Sequence, residues 1–134
     1  MVENVLVKEV LTESMIKAGE ELTRLLDQMN WRVTASLWFY FVEENQWKLL
    51  ITSPWVGKEG PKRAYHRIQE ALGKLQQDIP KISLQDIVVT DESHPLISLM
   101  KIAIQTDNGI SGIRFSKNVI NGQVIEDAYI YRLQ

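Results

Sequence analysis

Gly60, Lys62, Arg63 and His66, in the segment 55–67, WVGKEGPKRAYHR, are the candidates for binding an anion. Pro61 suits the first position of a helix, where its missing N–H costs nothing. The free N–H groups and the positive end of the macrodipole at such a point favour negative charge. Lys62 and Arg63 instead place positive charge in that first turn, which is mildly unfavourable by itself. A phosphate or carboxylate held by the backbone near Gly60 and by Lys62, Arg63 and His66 would resolve the conflict. Without a ligand, the same residues make a solvated helix start with Glu59 as partial compensation.

A second group lies near the C-terminus. Glu126 and Asp127 are consecutive on an expected strand, so they point to opposite faces and cannot work as one carboxylate pair. Asp127 shares its face with Tyr129 and Tyr131, and Arg114 belongs to the neighbouring strand. These four are the candidate pocket residues; a structural Asp–Arg pair is the simpler expectation for two of them. Asp91, Glu92 and His94 precede a third helix, where Asp91 or Ser93 is expected to serve as the cap.

Other chemistries fall away. The chain has no cysteine and two histidines, which excludes thiol catalysis, disulfides and Cys-based or three-His zinc sites. His66, His94 and one carboxylate would have to converge to hold a metal, and none is expected. The run from Asp107 to Gly112 lacks the spacing of a phosphate loop, and neither a nucleophile elbow nor a zinc-protease helix occurs. No cofactor is expected. Trp38, Tyr40 and Trp47 offer stacking surfaces, but only Lys48 is basic among them, and the net charge of −2 supplies no general attraction for nucleic acid.

Periodicity supplies the frame for these residues. Met15, Ile16, Leu22, Leu25, Leu26 and Met29 recur at helical spacing and predict a helix over 13–29, capped by Thr12. Gly19 in its middle suggests close packing against another backbone. A hairpin is expected from 33–42 and 47–53 around a polar turn. Its first strand is apolar on both faces, as in a strand covered on both sides. Residues 55–60 read as a loop between two prolines, followed by a helix over 61–77. Further elements are a strand at 87–90, a helix over 95–105 that is apolar nearly all round, and a hairpin of 113–116 with 123–133 across Asn121-Gly122. Residues 5–11 fit either a short strand or a helical turn.

The resulting order, αββαβαββ, predicts an α+β fold: a mainly antiparallel sheet of about five strands packed by three helices. With 134 residues, ordinary composition and no repeat, residues 1–134 form one domain. Glu3, Lys8 and Glu9 argue against a signal peptide, and no apolar run reaches the ~20 residues of a membrane helix. A cytoplasmic location and no membrane partner are therefore expected. The two-faced strand and the apolar third helix imply more apolar surface than one small domain covers. The expected function is a non-enzymatic ligand-binding or protein-interaction module acting as a homo-oligomer. The alternative is a small enzyme acting on a phosphate- or carboxylate-bearing substrate through Lys62, Arg63 and His66, with Asp127 or Glu126 assisting.

Overall fold

A computed structural model describes residues 7–134. Glu3 and the first two residues of the ambiguous segment 5–11 lie outside the described residues; residues 7–11 are an irregular arm, neither helix nor strand. The arm leads into α1 (Glu13–Gln28), then β1 (Ala35–Phe41), β2 (Gln46–Thr52), α2 (Pro54–Glu59), α3 (Pro61–Lys74), β3 (Ile87–Thr90), α4 (Pro95–Ala103), β4 (Ile113–Ile120) and β5 (Gln123–Leu133). The fold is α+β, with four α-helices among the described residues instead of the expected three. The strands form one sheet in the order β3-β2-β1-β5-β4. Three neighbouring pairs are antiparallel, and β2–β3 is parallel. A parallel pair needs a crossover, which α2 and α3 provide.

The segment expected to be a loop is the helix α2. Ser53 caps it by accepting a bond from the Trp55 N–H, and Pro54 takes the first position. Gly60 then ends α2 and starts α3 at φ +88°, a value that a residue without Cβ adopts without strain. Other expectations need correction. The helix α3 stops at Lys74 and α4 at Ala103, while β4 continues to Ile120. The cap of α4 is His94, whose Nδ1 accepts from the Leu96 N–H at 3.1 Å; Asp91 bonds the Ser93 N–H instead. Across Asn121-Gly122 both residues have positive φ, +49° and +78°, as a tight two-residue turn demands.

Strand β1 lies in the middle of the sheet, and Ala35 to Tyr40 are all buried. Trp38 and Tyr40 pack with Leu22, Leu26 and Ile68 of α1 and α3 on one face. Leu37 and Phe39 pack with Ile97 and Met100 of α4 on the other. One chain thus covers both faces of its two-faced strand. Full burial of each such side chain contributes about 1.5–3 kcal/mol. The apolar character of α4 is used mainly through Ile97 and Met100; Ile102 stays 60% exposed. The apolar surplus inferred from β1 is therefore internal, and it no longer argues for a second copy.

Gly19 faces side chains, not backbone. A Cβ there would lie 2.5 Å from Tyr131 Oη and 2.7 Å from Trp38 Nε1. Nearby, the Thr23 hydroxyl bonds the Gly19 carbonyl and the Ser36 hydroxyl, so these two buried hydroxyls are paired.

Candidate functional site

The hairpin turn at Asn121-Gly122 sets Arg114 opposite Tyr129 and Ser116 opposite Asp127. Alternation then brings Arg114, Ser116 and Asp127 to the sheet face that also carries Tyr40 and Trp47. The Asp127 carboxylate is only 5% exposed. Arg114 donates to it from Nε and Nη2, both at 2.7 Å, and Ser116 donates at 2.6 Å. Lys8 of the arm completes the set at 2.7 Å, and Glu126, expected to point away from Asp127, comes within 3.9 Å of the same ammonium. Four charged-group bonds on one buried carboxylate make this the most concentrated electrostatic feature among the described residues.

Aromatic rings wall the cluster. The Lys8 ammonium lies 5.0 Å from the centre of the Tyr40 ring and 5.8 Å from that of Trp47, and the Arg114 guanidinium lies 5.6 Å from Trp47. Such distances allow cation–π attraction. The arm itself is fastened by side chains. Asn45 accepts from the Glu9 N–H and donates to the Val7 carbonyl, while the Trp47 indole donates to the Glu9 carbonyl. Asn45 sits in the β1–β2 turn at φ +50° and also accepts from the Tyr40 hydroxyl.

Burial pushes the Asp127 carboxyl up, but bonds from Arg114, Lys8 and Ser116 outweigh burial and hold it well below the usual carboxylate range. The same pairing raises the Arg114 guanidinium. A folded-state value below the unfolded one contributes stability that is complete above the unfolded value, about 3.9, and is lost as pH falls towards the folded value. Asp127→Asn is expected to cost about 2–3 kcal/mol at pH 7. Urea denaturation between pH 7 and pH 2 should show wild type and variant converging below about pH 4. A pH-independent gap would contradict the assignment.

The other candidate residues are placed differently. Tyr129 is half-buried beside the cluster, edge-on to Tyr131 at 5.4 Å between ring centres. Tyr131 is a core residue, 1% exposed. Its hydroxyl accepts from Trp38 Nε1 at 3.1 Å and donates to the Ile16 carbonyl. Burial pushes this phenol well above its ordinary range, so it stays neutral.

Lys62, Arg63 and His66 are exposed along α3, where they line a depression of about 670 Å³ with Tyr65, Gln69 and Leu84. The Gly60 N–H is already bonded to the Val56 carbonyl and does not face an anion. Asp127 and Glu126 take no part in this depression. Strands β2 and β1 stand between β3, on which α3 packs, and β5, a span of roughly 14 Å at sheet spacing. The convergence that an enzyme built on His66 and Asp127 requires is not present. Among the described residues, no group of three or more His, Asp or Glu could hold a metal, so His66 and His94 do not combine with a carboxylate for that purpose. No described helix is long and apolar enough to cross a membrane.

Sequence reasoning missed Lys8, the second cation on Asp127. Its signal was slight: one lysine among valines in a segment without clear periodicity.

No protein-family model, curated protein or solved structure matches the chain.

Proposed function

We propose that the protein is a non-catalytic interaction module that works as a homo-oligomer, joined through the edge strand β4. The observation that carries this reading is the contrast between the two edges of the sheet. At β3 the edge is short, and Tyr65 closes it: its hydroxyl accepts from the Val89 N–H at 3.3 Å and lies 3.5 Å from the Ile87 carbonyl. At the other edge, β4 runs for eight residues, mostly exposed, with no strand partner beyond it among the described residues. Open edges of that length are templates for pairing.

Apolar surface adjoins the open edge. Val119 and Val124 face each other across β4 and β5 and are 64% and 69% exposed. Val42, 61% exposed, shares a shallow recess with Val124. Val42 in the turn after β1, Val124 on β5 and Val119 on β4 form one strip. A second copy meeting β4 about a two-fold axis would bring strip to strip, the self-complementary arrangement of an isologous dimer. The edge supplies backbone hydrogen bonds, and the strip supplies the apolar centre.

Light scattering at micromolar concentration tests the reading. Wild type should exceed the 15.5 kDa of one chain. Val119→Glu with Val124→Glu should give a monomer while keeping stability within about 0.5 kcal/mol per exposed site. A wild-type protein that stays at one-chain mass removes the proposal.

A further inference from the structure

We propose that the recess formed by Tyr40, Trp47 and Asp127 is a binding site for an alkylammonium group of the lysine type, and that the chain's own arm closes it in cis. The site uses Arg114 and Ser116 of β4, but its test does not depend on pairing at the β4 edge.

Three observations meet here. The first is the chemistry of the recess. A carboxylate at 2.7 Å, a second at 3.9 Å and two aromatic ring faces within 6 Å surround the ammonium of Lys8. Carboxylates and ring faces together are the partners that a primary ammonium takes up when it leaves water.

The second is the way the backbone is held. The Asn45 amide bonds the arm on both sides of Lys8, through the Val7 carbonyl and the Glu9 N–H, and the Trp47 indole bonds the Glu9 carbonyl. Three bonds to flanking peptide groups around one inserted side chain form a peptide-reading arrangement.

The third is charge. With Lys8 in place, two cations, Lys8 and Arg114, meet two anions, Asp127 and Glu126, and the cluster is neutral. When Lys8 withdraws, the cluster carries −1. Arg114 and Ser116 still hold the carboxylate, so the recess keeps its shape while lacking one cation. Lys8 itself is 38% exposed, which leaves a route for exchange. A tethered occupant acts at high effective concentration, so a competitor gains access when the arm's lysine is removed or outcompeted.

Lys8→Ala in the full chain keeps the backbone fastening and vacates the ammonium position. Titration with n-butylammonium chloride should shift the Trp47 indole N–H resonance saturably at millimolar concentration in this variant. Wild type should not respond, because Lys8 fills the recess, and sodium chloride at equal ionic strength should have no effect on either protein. Adding Asp127→Asn should weaken binding about tenfold, or 1.4 kcal/mol. Glu126→Gln, at a more exposed position, should weaken it in the same direction if the first double variant does not fold. Adding Glu9→Pro to the Lys8→Ala chain removes the N–H that the arm donates to Asn45 and loosens the arm, and in that chain a tripeptide with the sequence of residues 7–9, acetylated and amidated, separates two sources of the same chemistry. Binding tighter than n-butylammonium assigns the recess to lysine within a peptide, and weaker binding assigns it to free alkylamines. A Lys8→Ala protein that ignores n-butylammonium, or answers sodium chloride equally, overturns the proposal.

Discussion

Arg132→Ala should lower the unfolding free energy by about 3–5 kcal/mol in urea denaturation, the range for breaking a buried ion pair by removing one partner. Arg132 is 3% exposed, although it lies in a strand where alternating polar residues often face water. Its guanidinium donates twice to Asp27 at 2.9 Å, once to the Val33 carbonyl and once to the Gly109 carbonyl, both at 3.1 Å. One side chain therefore ties the end of α1, the approach to β1 and the loop before β4. Alanine would leave two carbonyls and a carboxylate without their donor, as well as a void. Asp27 is 35% exposed and can recover water, which sets the expectation nearer the lower end. Arg132→Met restores volume but supplies no donor, so it should recover only part of the loss. A double-mutant cycle with Asp27→Ala should return a coupling energy above about 1 kcal/mol. Independent losses at the two sites would show that the pair is not a unit.

Gly19→Ala should also destabilise, by about 2–3 kcal/mol, against the direction that helix propensity gives. Alanine is better than glycine in a helix interior by about 1 kcal/mol. Here the added methyl would overlap Tyr131 Oη and Trp38 Nε1, and both atoms are already committed. Trp38 donates to the Met15 carbonyl and to Tyr131, and Tyr131 donates to the Ile16 carbonyl. Relief would require α1 to lift from β1 and β5 or the two rings to turn, at the expense of packing and hydrogen bonds together. Near-UV circular dichroism should register the changed ring environment, and thermal unfolding the lost stability. A variant as stable as wild type would mean that the helix slides without cost.

These two residues mark where sequence reading reached and where it stopped. Element type was legible wherever a period was strong. The α1 stripe, the alternation in β1 and β5 and the Asn121-Gly122 turn each state one backbone geometry. The helix α2 was hidden because six residues containing Gly57 and bounded by prolines carry no period; its one cue was Ser53 directly before Pro54, a cap followed by a first-turn proline. Asp127 and Arg114 could be brought together on paper, because the turn fixes their register. Lys8 and Asp127 could not, since 119 positions separate them. Nor could Arg132 and Asp27, 105 apart. Burial of a charge depends on where a distant partner arrives, which no local pattern encodes. The same limit applied to the apolar surplus in β1: strand and helix can each be recognised as two-faced, but only the order β3-β2-β1-β5-β4 shows that α1, α3 and α4 share the task of covering the central strand.

The hydroxyl of Tyr65 has a bearing on how far any assembly can grow. A sheet with two receptive sides can add copies without limit and build a fibre. Among the described residues one side is stoppered by a phenol from α3, while the β4 side has no strand beyond it. Two molecules paired at β4 as proposed would each use up that vacancy, so the assembly would end at two, with a tyrosine far from the contact setting the count.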